Sequence, residues 1–199
     1  MILYDDPISG NGYKVRLAMA QLGVDHELVE VDILKGETRT PEFLRLNPNG
    51  KIPTLVLDDG RALPESNAIL YYLASGSPLW PDDLYGQADV LRWMNFEQYS
   101  HEPYVAVARF MLHQPDPPDP AVLAEKQERG YVALDVMDGH LKSHEFLAAG
   151  RYSIADIALY AYTHVADEGG FDLGKYDAVN RWLESVRGQP GYVPMAHAD

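Results

Sequence analysis

Residues 47–55 read NPNGKIPTL, a turn-forming cluster that passes through a lysine and a proline into an apolar run. Proline cannot donate to a sheet ladder, so Pro53 marks the start or edge of a strand rather than its middle. The strand that follows, PTLVLDD, and the short run RAL are joined at Asp59-Gly60, a hairpin signal. Before the turn, PEFLRL is a short helix; after the hairpin, SNAILYYLA is another. Further back, HELVEVDI (26–33) alternates as a strand with its apolar side on Leu28, Val29, Val31 and Ile33. Residues 11–22 carry Val15, Leu17, Ala18 and Leu22 at helical spacing and stop at Gly23. MILY opens the chain as a strand. The order is β-α-β-α-β-β-α within about 75 residues, a small α/β sandwich.

The pattern then changes. GSPLWPDD is rich in glycine, proline and aspartate, and everything beyond it is helical. A long helix is expected over 86–113, which holds Val90, Leu91, Trp93, Met94 and Phe96, with a kink at Pro103. HQPDPPDP is a loop, and helices follow over 121–143, 154–167 and 177–187. No internal repeat is present. The expected organisation is an α/β domain over 1–76, a linker over 77–85 and an all-α domain over 86–199.

With 199 residues, 46% of them hydrophobic, the chain can bury a real core. The absence of cysteine excludes disulfides, thiolate metal sites and a nucleophilic thiol of the protein's own. A net charge of −14 argues against nucleic acid and anionic membranes as partners. Residues 1–75 hold 7 basic against 11 acidic residues, and 76–199 hold 9 against 19, so the first portion is the better host for a small anion. MILYDDPISG lacks the basic and apolar regions of a signal peptide, and no apolar run approaches membrane-spanning length. A soluble, cytoplasmic protein is expected. The seven histidines show no H-E-x-x-H spacing, so no metal is expected, at His101 or elsewhere.

The loop Ser9-Gly10-Asn11-Gly12 lies between the first strand and the first helix. A dinucleotide fingerprint would need glycine where Val15 stands, and the Gly-Lys-Ser/Thr of a P-loop is absent. A hairpin at Asn11-Gly12 would need a strand next, but a helix follows. A strand feeding a helix amino terminus, with a hydroxyl and an amide at the junction, leaves two uses for Ser9 and Asn11. They cap the helix, or they help its N–H groups and dipole hold an anion. Ser66, after Glu65 and at the start of an apolar helix, has the same two uses. Ser153-Ile154-Ala155-Asp156 is a capping box and is structural.

Taken in order, the two-part organisation, the KIP turn, the Glu65-Ser66 pair and the S-x-x-D box resemble the glutathione transferase family over essentially the whole chain. The resemblance implies a thioredoxin-like N-terminal domain and an all-α C-terminal domain. Taken alone the Ile52–Pro53 bond would be expected trans; the family places a cis proline there. Glutathione would be a co-substrate, with no permanently bound cofactor. Glu65 and Ser66 would take its γ-glutamyl amine and carboxylate, and the backbone of Ile52 beside Pro53 would pair with its cysteinyl unit. Lys51, and after it Lys35 and Arg39, are candidates for the glycyl carboxylate.

The thiol falls to the opening loop by the same resemblance. Cysteine is absent, Tyr4 lies within the strand and Tyr13 within the helix, which leaves Ser9 with Asn11 as partner, the order between them open. The spacing departs by one residue from the usual serine-type pattern and looks more like the bacterial nu-type members. A second substrate, an electrophile or a disulfide, would lie against the helical domain near Tyr104, Arg109 and Phe110, though core packing is the expected fate of Phe110. A homodimer is implied. A non-catalytic glutathione-binding or interaction module on the same scaffold is the alternative function.

Overall fold

The computed structural model describes residues 1–195, which divide into two compact units. One is Met1–Ser77 joined by a stretch that begins at Pro190, and the other is Pro78–Gln189. In the first, β1 (Ile2–Asp5), α1 (Gly10–Leu22), β2 (Glu27–Glu30), α2 (Pro41–Leu46), β3 (Thr54–Val56), β4 (Ala62–Pro64) and α3 (Ser66–Ala74) follow in order. The sheet runs β2-β1-β3-β4. Strand β1 pairs in parallel with β2, Leu3 opposite Leu28, and antiparallel with β3, Leu3 opposite Leu55. Strands β3 and β4 form the antiparallel hairpin, with Gly60 at φ 85 in its turn.

The period-two pleat puts alternate residues of β1 on opposite faces. Leu3 lies in the core with Val15, Met19, Leu55, Leu57 and Ile69, beneath the packed pair α1 and α3. Tyr4 points to the other face and meets Phe43 of α2 edge-on at 6.0 Å. The pleat also corrects one expectation. Neighbours Leu28 and Val29 cannot share an apolar side, and in the short edge strand β2 Leu28 is exposed while the buried position beyond it is Val31. Gly23 stops α1 at φ 64, which lets the Val24 N–H reach the Met19 carbonyl at 2.9 Å. The Tyr13 hydroxyl donates to the Val193 carbonyl at 2.7 Å, so the stretch after Pro190 packs with this unit.

The second unit holds α4 (Leu84–Phe96), α5 (Glu102–Leu112), α6 (Pro120–Leu141), α7 (Ile154–Thr163) and α8 (Asp177–Arg187). Every residue of α7 is buried. Residues 78–85 of the stretch expected as a linker belong to this unit: Arg151 donates to the carbonyls of Pro78 and Trp80 at 2.8 and 3.0 Å. The helix expected over 86–113 is interrupted just before Pro103. A π-helical turn over Glu97–His101 makes the break, and Pro103 sits in the first turn of α5, where a missing N–H costs nothing. The helix expected over 154–167 ends at Thr163, and a 3-10 turn at Ala166–Gly169 follows. His101 is buried with its Nε2 at 3.0 Å from Thr163 Oγ1. Because that hydroxyl donates to the Leu159 carbonyl, the imidazole N–H donates to it, a packing role.

Candidate functional site

The loop between β1 and α1 is built on an ion pair. Arg16, one helical turn beyond the loop, pairs with the buried carboxylate of Asp5 and donates to the carbonyls of Asp6 and Pro7 at 3.2 and 2.7 Å. Burial pushes the Asp5 carboxyl up to about 7, while the Arg16 guanidinium pulls it down. Gly12 is required here because a Cβ at that position would stand 1.6 Å from Asp5 Oδ1. The second glycine of the loop therefore admits a carboxylate from the strand below; it cradles no phosphate.

Ser9 is the N-cap of α1, with extended backbone and its Oγ accepting the Gly12 N–H at 3.1 Å. The hydroxyl proton of such a cap is directed elsewhere, because the oxygen is the accepting end of that bond. The first turn of α1 contains no acidic residue. Asn11 follows on the same turn, and its Oδ1 accepts from two donors, Lys14 Nζ at 2.7 Å and Ser66 Oγ at 3.0 Å. Ser66 opens α3 and is buried, so Asn11 ties the starts of α1 and α3 together. Glu65 before it is exposed and sits at φ 74, a left-handed conformation that costs a residue with a Cβ about 1–3 kcal/mol.

The turn at 47–55 is organised by Asn47, whose side chain donates to the Lys51 carbonyl at 2.7 Å and to Thr54 Oγ1 at 3.3 Å. The Ile52–Pro53 peptide is cis. Lys51 is exposed. Arg39 lies along the turn, donating to the Asn49 carbonyl at 3.1 Å and crowding Gly50, where φ is 61. Lys35 pairs on the surface with Asp32 at 3.0 Å, a bond that raises its pKa. The structure thus brings Asn11, Lys14 and Ser66 into one hydrogen-bonded group, with Ser9 beside it as the cap of the same helix start. Lys35 and Arg39 already have surface partners.

In the helical unit, Arg109 is buried and holds Glu168 at 2.6 Å, which makes its charge part of the packing of α5. Phe110 has 49% of its surface exposed, so the expectation that it packs in the core is corrected. Residue 110 falls on the outward side of α5, whose buried positions are Val105, Ala106, Ala108 and Arg109. The Tyr104 hydroxyl accepts from Arg129 at 3.1 Å, and its ring lies under the cations of Lys126 and Arg129. Among the described residues no cluster of histidine and carboxylate side chains could hold a metal.

Lys14, Asp5 and Arg16 are the parts of the site that motif reasoning missed. For Lys14 a signal was present. Positions three and four apart share a helix face, so a lysine three residues after Asn11 and four before Ala18 lies on the inward side of α1.

A four-stranded thioredoxin-like sheet with a serine-capped helix start, followed in the chain by an all-helical unit, defines a two-domain class of fold. The chain belongs to the glutathione S-transferase family: residues 8–75 match the glutathione S-transferase N-terminal domain and residues 97–190 the C-terminal domain. It is 32% identical over 187 residues to the disulfide-bond oxidoreductase YfcG of Escherichia coli K12, covering 90% of this chain and 87% of that protein. Among solved structures it is similar to a glutathione S-transferase from Pseudomonas fluorescens Pf-5, with a TM-score of 0.96, 50% identity and 98% of each chain covered. Ure2p in complex with glutathione is a more distant likeness, with a TM-score of 0.87, 25% identity and 96% and 90% of the two chains covered.

Proposed function

We propose that this protein binds glutathione in its first unit and holds the thiol as a thiolate for attack on a small electrophile or an organic disulfide. The observation that carries this is the start of α1, where the Ser9 hydroxyl and the Asn11 amide flank a helix amino terminus that has no acid of its own. Ser9 and Asn11 serve the sulfur. Glu65 and Ser66 take the γ-glutamyl end, the Ile52 backbone beside Pro53 takes the cysteinyl unit, and Lys51 takes the glycyl carboxylate. Lys35 and Arg39 stand at the same end in supporting roles.

The magnitudes suffice. A free thiol titrates near about 8.5, and lowering it by about two units takes roughly 2.7 kcal/mol. A hydrogen bond to a charged group gives about 1.5–3 kcal/mol and a helix amino terminus about 0.3–1. One hydroxyl and the dipole therefore make most of the bound sulfur reactive without a metal. In conjugation the thiolate forms a bond to the electrophilic carbon, and the leaving group departs with its electron pair. In disulfide reduction it attacks one sulfur and expels the other as a thiolate. A second glutathione resolves the mixed disulfide, so two glutathiones are oxidised to one disulfide while the substrate is reduced to two thiols. The protein supplies no thiol because it has no cysteine. The likeness to YfcG favours disulfide reduction as the second activity.

The exposed Leu84, Tyr85 and Leu91 of α4 offer an apolar face to a second copy in a homodimer. Tyr104 and Phe110 are retained as second-substrate contacts; Arg109 supports them from within the unit through Glu168. No described helix is long and apolar enough to cross a membrane, which fits action in the cytoplasm. The test is an ultraviolet titration of glutathione thiolate on the purified protein. A midpoint about two units below the free thiol is expected. Binding without a shift would reduce the protein to a glutathione-binding scaffold, and no binding would overturn the proposal.

A further inference from the structure

Lys14 is a cation with none of its surface exposed, in a helix whose buried neighbours are Tyr13, Val15 and Leu17. Burying an ammonium is costly unless it is matched by acceptors, so its place in the fold calls for a use. Its Nζ lies 2.7 Å from Asn11 Oδ1, the oxygen that also accepts from Ser66 Oγ at 3.0 Å. An ammonium carries donors only, and so the carbonyl end of the Asn11 amide must face it. The Ser66 hydroxyl, bonded to the same oxygen, must donate as well.

We infer that Lys14 is a positioning residue for the sulfur site: it fixes Asn11 with its oxygen inward and its N–H donors toward the glutathione thiolate. This rests on the function proposed above. Two physical effects follow from the one contact. The amide cannot turn its oxygen to the sulfur, where a lone pair would repel the anion. The cation also withdraws charge from the carbonyl and strengthens the opposite N–H donors, as bonds in a chain polarise one another. Ser66 is drawn into the same unit, so that the helix start carrying the γ-glutamyl end and the helix start carrying the thiol share one oxygen.

Replacing Lys14 with methionine keeps most of the volume and removes the donor. The bound glutathione thiol of Lys14→Met should titrate about one unit higher than in the unaltered protein, an approximately tenfold loss of thiolate near neutrality. Affinity for S-methylglutathione, which has no thiol to ionise, should stay within about threefold, a change of well under 1 kcal/mol. In an Asn11→Ala background the lysine substitution should add no further shift. An unchanged midpoint in Lys14→Met, or an equal shift with and without Asn11, overturns the inference. A variant that leaves the buried lysine in place covers the case where Lys14→Met does not fold. Asn11→Asp still accepts from Lys14 and Ser66 but has no N–H to offer, so its bound thiol should titrate at or above the free value; a midpoint as low as in the unaltered protein contradicts the assigned orientation. If the unaltered protein itself shows no lowered midpoint, the proposed function fails first, and the variants are not needed to show it.

Discussion

Helices α1 and α7 both begin at a serine, Ser9 in the first unit and Ser153 in the second, but their third positions hold Gly12 and Asp156. In α7 the acid closes the box. Asp156 Oδ2 accepts the Ser153 N–H at 2.9 Å and its hydroxyl at 3.2 Å, while Oδ1 accepts from the Leu147 N–H and the Trp182 indole, each at 2.9 Å. In α1 the space for a third-position side chain is taken by Asp5 from the strand below, and Arg16 takes that charge. The first helix start is thus left with a hydroxyl, an amide and a dipole but no anion of its own. A capped helix start without the acid that would complete the box keeps its N–H groups and dipole available to an anion, as the proposed function requires.

The largest effect expected from this contrast is at the closed end. Asp156→Ala strands the Trp182 indole and the backbone N–H groups of Leu147 and Ser153 in a dry core. Each buried donor left without a partner costs about 1–3 kcal/mol, so the loss over the three should reach about 3–5 kcal/mol. Urea unfolding should show a midpoint far below that of the unaltered protein. A loss under about 1 kcal/mol, the scale of an ordinary cap, would mean that the box does not carry the helix and would remove half of the comparison.

The other end of α7 allows a pH test of about half that size. His164 caps it, stacked on Tyr160 at 4.5 Å, and burial pushes its pKa down to about 4. The folded state keeps the ring neutral where the unfolded chain protonates it near about 6.5. Its contribution to stability is therefore present above that value and is lost as pH falls from about 6.5 toward 4. Asp156, pushed up by burial to about 6, acts with the opposite sign: its contribution is full below the usual carboxylate value and is lost as pH rises through about 6. His164→Gln should gain about 2 kcal/mol on the unaltered protein between pH 7 and pH 5. A constant difference over that range would place the ring in water in both states.

Local pattern made much of this legible. The strand and helix order of the first unit, the Asp59-Gly60 hairpin, the Gly23 stop and the Ser153-Asp156 box all follow from residues within a few positions of each other. Contacts between distant segments were not legible. Nothing near Arg109 announces Glu168, 59 residues on, and nothing near Tyr13 announces the carbonyl of Val193. The π-helical turn before Pro103 is not legible, because a proline marks where a helix is disturbed but not the form the disturbance takes. Ser9 and Asn11 stand out in the sequence as a pair, whereas Lys14 behind Asn11 does not, because a lysine is ordinarily solvated.

The smallest expected change in stability is at the open end, and there chemistry and stability separate. Ser9→Ala removes the acceptor of the Gly12 N–H, which costs about 1 kcal/mol of folding free energy. The same change deletes the hydroxyl donor, so the bound glutathione thiol should titrate about one unit higher, with roughly tenfold less thiolate near pH 6. Ser153→Ala should do the reverse. It costs more stability, because both the Ala155 N–H and Asp156 lose a buried partner, and it leaves the thiol midpoint where it was. Ser9→Thr keeps cap and donor together and should change neither quantity by much. If Ser9→Ala and Ser153→Ala lose equal stability and neither moves the midpoint, Ser9 is only a cap. The work of holding the thiolate would then pass to Asn11 and the helix dipole, and the titration of Asn11→Ala would decide how much of it the amide carries.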